Sequence, residues 1–539
     1  MAEHAGDPTR AVLSEASQRI RGSNAQSMNV EAAKAVAEAV RTTLGPRGMD
    51  KMLVDETGEV VVTNDGITVL EEMDIDHPAA DMVVEVAQSQ QQAVGDGTTT
   101  SVILTSALLS EAADLAEQDV HPATIAAGFE DAGEVVTGTL AELAREVEPD
   151  DTDTLDAIAS TAMTGKGLES ARDHLVDLVV AAVRRASRVD GVDRDAISIT
   201  PFAGGDVTDS RFVEGVTIDR TPVEDAMATS LRDADILLYE GGIEAADLAV
   251  DSTATVTDFE GAVEFGERER SALREEVETV IETGADVLVT EGGVDDDAAT
   301  MLAEAGITVF RRVSDDDRRR LEAATEATPV TDLDGVTTTD LGHAGSVERE
   351  RIRMPHWRGG SRPEETMVFS DVAGGDASSI LLRGGTDHAI DEIQRALEDS
   401  IDVLVAAIEG GAILPGGGAA ETELSLALES AADGVEGREQ LAVEAFATAL
   451  EVVPRTLAEN AGHSPVDSLV DLRSRHAAGD SAAGIDAETG EAVDALDVGV
   501  IEPLRVKETA IDAAIEAATM VLRIDDVIAA GDLSTADDD

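Results

Sequence analysis

The spacing of apolar residues changes period twice along the chain, and this limits the fold more than any other feature. From Val30 the positions Val30, Ala33, Ala37, Val40 and Leu44 step by three and four, one face of a helix, which Gly45 and Pro46 are expected to end. Between about Ile197 and Asp371 the texture shifts to short β-like runs, ADILLYEG, ADVLVTEGG and ITVFRRV, alternating with helical stretches, the pattern of an α/β domain. From about Asp387 helical spacing returns in AIDEIQRALEDSIDVLVAAIEGG and KETAIDAAIEAATMVLRIDDVIAA. A helical domain split in sequence around an inserted α/β domain is therefore expected. The length of 539 residues accommodates it, since one core rarely organises so long a chain.

Local signals refine this outline. GEVVVTNDGITVLEEM alternates around Asn64, Asp65 and Gly66, which predicts a hairpin with an acidic tip. Pro78 suits the first turn of a helix running to about Val94, GDGTTT interrupts it, and SVILTSALLSEAADLA resumes helical spacing. Pro122 repeats the device, so the first 147 residues read as mostly helical with one hairpin. Further on, VTDFEGAVEFGERERSALREEVETVIETG predicts a long charged helix preceded by a weakly patterned arm, VDSTATVTD. A compact sheet domain needs only a short loop there. The closing LSTADDD reads as a solvated tail.

Composition excludes several function classes. The 39 basic against 112 acidic residues leave a formal charge of -73, which argues against a nucleic-acid or anionic-membrane partner. Val and Leu recur through the acidic segments, so the charge reads as a hydrated surface on an ordered fold rather than as disorder. In molar salt the Debye length falls to about 3 Å and screens the self-repulsion, which implies a high-salt cytoplasm. With eight Phe, one Trp and one Tyr, the cores must be built from Ala, Val, Leu and Ile. Cysteine is absent, which removes disulfides, thiolate nucleophiles and Cys-ligated metals. The opening MAEHAGDPTR is polar and acidic, and no segment approaches 18 uninterrupted apolar residues; a cytoplasmic protein is expected.

Phosphate binding needs backbone N–H groups at a helix start, glycines that permit close approach, and a carboxylate for the accompanying metal. Gly95, Asp96, Gly97, Thr98, Thr99 and Thr100 supply all three, although a plain cap and turn would also account for the string. The loop Thr43, Leu44, Gly45, Pro46, Arg47, Gly48 and the run Pro415, Gly416, Gly417, Gly418 between helices are further candidates, each equally consistent with punctuation. A Walker GxxxxGK[ST] string is absent, because Gly165 and Lys166 are followed by Gly167, and there is no GxGxxG. Hydrolysis would also require a carboxylate to position water, for which Asp65 and Asp399 stand out through their surroundings alone. The nine His residues show no HExxH pairing and read as structural or surface groups.

In this order, AAKAVAEAVRTTLGPRGMDKMLVD, VVTNDGITVLEEMDIDHPAA, VGDGTTTSVILTSALL, TGKG, LLRGGTDHAIDEIQRALEDSIDVL, LPGGGAAE, NAGHSPVDSLVDLR and GVIEPLRVKETAI span nearly the whole chain. Together they resemble the group II chaperonins, the family of archaeal thermosome subunits and the eukaryotic cytosolic chaperonin, from a salt-adapted lineage. The resemblance implies a multidomain α+β fold: a mostly helical equatorial ATP domain at 1–147 and 403–539, a small intermediate hinge domain at 148–214 and 365–402, and an α/β apical domain at 215–364. A helical protrusion at about 251–282 would form a built-in lid. It implies an ATP-dependent chaperone that encloses unfolded protein in a double ring, as a homo-oligomer or mixed with paralogous subunits.

The same resemblance assigns residues. Leu44, Gly45, Pro46, Gly95, Gly97, Thr98, Thr99 and Thr100 would cradle phosphates and Asp96 would ligate Mg2+. Gly417, Asp486 and Glu502 would contact the remainder of the nucleotide, and Asp65 and Asp399 would orient the attacking water. All four lysines, Lys34, Lys51, Lys166 and Lys507, lie inside matching strings; Lys166 in TGKG would sense the γ-phosphate as a compact point charge. Three departures stand out. Gln90, Gln91 and Gln92 replace the acidic residues usual before GDGTTT, which implies altered inter-domain coupling, TPVEDAMATSLRDAD lacks the family's HPGMP-like string, and HWRGGSRPEETMVFSDVAGG is divergent. An active ATPase is expected. A ring subunit contributing mainly surface, or a free-standing phosphotransferase, would share GDGTTT, but the second has no use for a lid-like arm.

Overall fold

The computed structural model describes residues 19–21, 23–54, 58, 60–168, 170–188, 191–218, 220–244, 259–352, 364–372, 374 and 377–528. The chain divides into two compact units, Met1–Glu169 with Asp402–Asp539, and Ser170–Ile401. The first unit opens with β1 (Arg19–Arg21), α1 (Ser23–Arg41), β2 (Lys51–Val54), β3 (Val60–Thr63) and α2 (Gly66–Glu71). It continues through α3 (Pro78–Val94), α4 (Thr98–Glu117), α5 (Pro122–Leu143), β4 (Arg145–Glu146) and α6 (Thr152–Ala162). The second unit holds α7 (Arg172–Ala186), β5 (Ser187–Arg188), β6 (Gly191–Val192), β7 (Ile197–Ala203), β8 (Arg211–Ile218) and β9 (Ser230–Tyr239). Then come α8 (Phe259–Thr283), β10 (Val287–Thr290), α9 (Asp296–Glu304), β11 (Thr308–Phe310), α10 (Asp315–Thr325), β12 (Gly342–Ile352), β13 (Glu364–Val372) and β14 (Ser378–Gly384). Helix α11 (Asp387–Gly410) leads back to the first unit and its β15 (Ala412–Pro415), α12 (Ala419–Ala432), α13 (Glu439–Leu450), α14 (Val452–Asn460) and α15 (Pro465–Ala477). The unit closes with β16 (Ala483–Ile485), β17 (Ala492–Asp494), β18 (Ile501–Pro503), α16 (Leu504–Leu522) and β19 (Asp526–Ile528).

In the first unit α1, α3, α4, α5, α12, α13 and α16 share one core, built chiefly from Ala, Val, Leu and Ile. Among the described residues its aromatic pair, Phe129 with Phe446, meets edge to face with centroids 5.6 Å apart. Small residues let the helices approach: a methyl on Gly128 of α5 would run into Ala442 of α13. Helix α4 is buried from Thr98 to Leu115 on nearly every side, as a central helix must be. Strand β1 pairs antiparallel with β19, Arg19 opposite Ile528, joining the first and last described segments.

That pairing corrects one expectation. Helical spacing suggested that α16 would continue through IDDVIAA, but the helix ends at Leu522, and the β-branched Val527 and Ile528 enter a strand instead.

The expected hairpin at Asn64–Gly66 also needs correcting. Strands β2 and β3 do pair antiparallel, but from Lys51 opposite Thr63 to Val54 opposite Val60, so the pairing closes ahead of Asn64. Beyond Asp65 the chain is α2, because Asp65 Oδ2 accepts the N–H of Thr68 at 3.1 Å and its hydroxyl at 2.6 Å. Ile67, Val69 and Leu70 bury on the helical face. A side-chain cap plus core burial outweighs the β preference of Ile, Thr and Val. The run Pro415–Gly418 likewise sits between a strand and a helix, since Pro415 ends β15, not between two helices.

The second unit centres on an eight-stranded mixed sheet in the order β11-β10-β9-β12-β13-β8-β14-β7. Strands β9, β10 and β11 run parallel, as do β14 and β7; the remaining neighbours are antiparallel. The period-2 rule sorts their side chains onto two faces. Ile236, Leu238, Val287, Val289 and Phe310 pack with Leu321 of α10, whereas Leu237, Leu288 and Val309 pack with Leu273, Val277 and Val280 of α8. Helix α8 is the long charged helix anticipated. The arm before it, from 250 to 258, lies outside the described residues, as do MAEHAGDPTR, LSTADDD and the part of HWRGGSRPEETMVFSDVAGG at 356–363. No helix of the described residues is long and apolar enough to cross a membrane.

Candidate functional site

Helix starts in the first unit differ in their caps; α13, α14 and α16 have no side-chain cap but follow Arg438, Glu451 and Pro503 at ordinary negative φ. Asp65, His77, His121, Asp151 and Ser464 cap α2, α3, α5, α6 and α15 with side-chain acceptors. Helices α4 and α12 instead begin from Gly97 and Gly418, both in the left-handed region at φ 78° and 80°, with no side-chain cap. Only glycine adopts that backbone without strain. Their first-turn N–H groups thus remain available to an anion, which the helix dipole also favours.

The α4 start gathers three other segments. Gly66, just after Asp65, packs directly on the Thr99 hydroxyl, and Thr43 Oγ1 lies 3.4 Å from Thr99 Oγ1. Asn64 Nδ2 donates to the Gly165 carbonyl at 2.6 Å, and a methyl on Gly165 would fall 3.0 Å from the Gly45 carbonyl and 3.1 Å from Pro46 Cα. Asn460 Nδ2 anchors the first of these turns, donating to the carbonyls of Arg41 at 3.0 Å and Leu44 at 2.9 Å. Asp96 is exposed, with Oδ1 accepting the Gly97 N–H at 2.6 Å. Gly95 packs against Asp402 at the start of the first unit's α11 segment. Leu44, Gly45, Pro46, Asp65, Gly95, Asp96, Gly97, Thr98, Thr99, Thr100 and the half-buried Lys166 therefore belong to one neighbourhood.

The α12 start gathers a different set. The Ile485 N–H donates to the Gly417 carbonyl at 2.8 Å. Next in sequence, Asp486 accepts the Glu488 N–H at 2.8 Å and the Thr489 hydroxyl at 2.9 Å; led by the Glu488 bond, these hold its carboxyl below the ordinary range. A methyl on Gly416 would lie 3.2 Å from Glu502 Oε1, and Glu502 pairs with Lys507 at 2.6 Å. Burial pushes the Glu502 carboxyl up, and Lys507 opposes the shift. Asp399 belongs to the second unit, on α11 one turn before Asp402; the other residues singled out in the sequence all lie in the first.

Several contributors escaped sequence reasoning. Asn64, Asp402 and Asn460 lie inside the matching strings without an assigned role, and Gln90 stands out only as a replaced acidic residue. Asn64 adjoined a residue already under suspicion, and Lys507 was one of only four lysines.

Two glycine-started helices, one beside an exposed carboxylate and a lysine loop, make an anion-favouring arrangement of non-Walker design in a split helical unit. Comparison with known proteins sharpens that reading. Residues 36–532 match the model of the TCP-1/cpn60 chaperonin family. The chain is 51% identical to thermosome subunit alpha of Halobacterium salinarum over 100% of its own length and 95% of that protein. With thermosome subunit 1 of Haloferax volcanii it shares 52% identity over 97% of this chain and 92% of the other. Among solved structures it resembles the open-state monomer of a group II chaperonin from Methanococcoides burtonii, at 40% identity and a TM-score of 0.60, covering 80% of this chain and all of that one.

The chain belongs to the TCP-1/cpn60 chaperonin family. It is an ATPase and a subunit of an ATP-dependent chaperone that forms a double-ring chamber.

The residues present suit a magnesium-bound nucleotide. Among the described residues no group of three or more His, Cys, Asp or Glu is arranged to hold a metal ion by itself. Mg2+ does not need such a cage, since it takes one or two protein carboxylates and completes its shell with substrate phosphates and water. Asp96 beside an uncapped helix start offers that arrangement.

Proposed function

We propose that the first unit binds Mg-ATP between the α4 and α12 helix starts, with its phosphates at Gly95–Thr100 and the Leu44–Pro46 turn. The observation that carries this reading is the pair of uncapped glycine starts, with Asp96 at one and Glu502 beside the other. Asp96 ligates Mg2+, which when bound neutralises charge on the phosphate oxygens. Lys166 meets the terminal phosphate as a point charge. Gly417, Asp486 and Glu502 contact ribose and base. Asp65 and Asp399 orient the attacking water, Asp65 from the N-cap of α2 and Asp399 from α11. Because Asp399 lies outside the first unit, hydrolysis would depend on closure of one part of the chain over another, the usual way such a machine couples chemistry to motion.

The equatorial, intermediate and apical division at 1–147 with 403–539, 148–214 with 365–402, and 215–364 completes the reading, with the protrusion at about 251–282 as lid. Relatives named subunit alpha and subunit 1 support assembly with paralogous partners around unfolded protein clients in a high-salt cytoplasm.

Asp399→Ala separates binding from chemistry. Nucleotide affinity should stay near wild type while turnover in molar potassium slows about 10² to 10⁴-fold, the scale for losing general-base assistance. Unchanged turnover would remove Asp399 from the mechanism.

A further inference from the structure

The first turn of α16 touches both ends of this site. The Val506 carbonyl accepts a bond from Gln90 Nε2 at 3.1 Å, and the same amide nitrogen donates to the Asp96 carbonyl at 2.7 Å. Gln90 is fully buried, so no water substitutes for these bonds. Both partners are acceptors, which fixes the amide orientation: the flipped amide, or a glutamate, would set oxygen against two carbonyls. Gln90 Oε1 is left buried without a partner, so the contact is retained although one polar atom goes unsatisfied.

The next residue, Lys507, is 4% exposed and pairs with Glu421 and Glu502. Glu421 is in the first turn of α12, three residues after Gly418, and is 1% exposed. Glu502 lies beside Gly416. A buried ion cluster is a poor source of stability, since apolar side chains of similar volume often serve as well. What it does supply is a fixed register between elements. Lys507 holds its proton more firmly than an ordinary lysine: burial opposes the charge, but the two glutamates outweigh it.

We infer that the first turn of α16 is a two-armed brace that sets the separation between the Asp96 loop and the Gly416–Gly418 loop, with Gln90 and Lys507 as its positioning residues. One arm runs from the Val506 carbonyl through Gln90 to the metal-side loop; the other runs from Lys507 to Glu421 and Glu502 at the ribose side. The brace rests on the Mg-ATP reading of the site and deepens it by dividing metal binding from nucleotide binding.

Titration calorimetry with ADP on the assembled particle in molar potassium, repeated across magnesium concentrations, reads each arm without turnover. Gln90→Glu should raise the magnesium needed for half-maximal ADP binding about tenfold, while affinity at saturating magnesium changes less than about threefold. Lys507→Met combined with Glu421→Gln, which leaves Glu502, 28% exposed, as the one remaining charge of the cluster, should weaken ADP about tenfold at every magnesium concentration with the midpoint unmoved. Variants that assemble and melt like wild type yet keep wild-type binding overturn the brace. So does an equal loss in both quantities in both variants, which a merely structural role would give. Should the double variant not assemble, Gln90→Glu decides alone by the same criteria. Wild-type particles that bind no ADP would instead remove the Mg-ATP reading, and the brace with it.

Discussion

The starts of α4 and α12 have nearly the same backbone, a left-handed glycine with φ near 80° and ψ near 10° and no side-chain cap, yet their surroundings differ. Around α4 stand hydroxyls and an exposed carboxylate: Thr43, Thr98, Thr99 and Asp96. Around α12 stand a strand edge at Ile485 and a buried ion cluster. The same conformation therefore serves two purposes according to what is brought to it. Beside Asp96 it suits a metal-bound phosphate, whose charge needs mobile oxygen ligands. Beside Gly417 and Glu502 it suits a neutral, hydroxyl-bearing part of the ligand that needs shape and hydrogen bonds.

The strongest way to break this contrast is to seek chemistry at the wrong end. Asp65→Asn keeps an oxygen to cap α2 but removes the charge, so the helix should persist while hydrolysis slows about 10² to 10⁴-fold. Glu502→Gln should leave turnover at saturation far less affected. A steady-state series with both variants would dissolve the distinction if Glu502→Gln slowed turnover as much.

Next in size is the electrostatics of the α12 side. Removing one partner of a buried pair costs about 3–5 kcal/mol, so Lys507→Met should be destabilised on that scale. Because the folded chain holds the Lys507 proton above its ordinary 10.5, the contribution is fully present below that pH. It is lost as pH rises through the higher folded value, since the unfolded chain releases its proton first. Denaturant titrations at pH 8 and pH 11 should show the gap between wild type and variant beginning to narrow at the alkaline end; a constant gap would mean that the ammonium does not hold the cluster together.

These contrasts were only partly legible in the sequence. Pro78 and Pro122 predicted the starts of α3 and α5 to the residue, because a proline at the first turn acts through its own backbone. The runs around Leu237, Leu288 and Val309 announced strands for an equally local reason, short unbroken aliphatic and β-branched stretches between polar residues. GDGTTT and PGGG were visible as loops. That each uncaps a helix was not, because capping depends on the backbone path rather than on composition. The stretch after Asp65 was misjudged as a strand because Ile, Thr and Val favour one, and only the Asp65 bond to Thr68, together with burial against the core, tips it to helix. Gln90 and Val506 are 416 residues apart, and no spacing rule reaches across such a gap. The contacts that tie the site's loops together were therefore its least readable part.

Smaller changes refine the contrast. A methyl on Gly417 would sit 3.0 Å from the Ile485 N–H nitrogen. Gly417→Ala should therefore raise the ATP concentration for half-saturation about tenfold while saturated turnover holds, the signature of lost uniform binding. A fall in saturated turnover would place reacting atoms near α12 and merge the two ends.

The smallest effect tests whether the missing caps matter at all. Ser464 caps α15 in the ordinary way, its hydroxyl accepting the Asp467 N–H at 3.3 Å, and α15 carries no residue assigned to the nucleotide. Ser464→Ala should cost about 1 kcal/mol of stability through a lost cap and leave ATP affinity untouched. Gly97→Ser is the mirror experiment: it supplies a side chain of cap-forming type to α4, but at a left-handed position where a β-carbon costs about 1–2 kcal/mol. A methyl-sized group there also comes within 2.8 Å of Gln90 Nε2. Stability should fall by a comparable amount in both variants, while ADP binding measured by calorimetry should weaken only in Gly97→Ser. If Ser464→Ala weakened ADP binding equally, an open helix start would have no special relation to the ligand, and the contrast between capped and uncapped helices would carry no functional meaning.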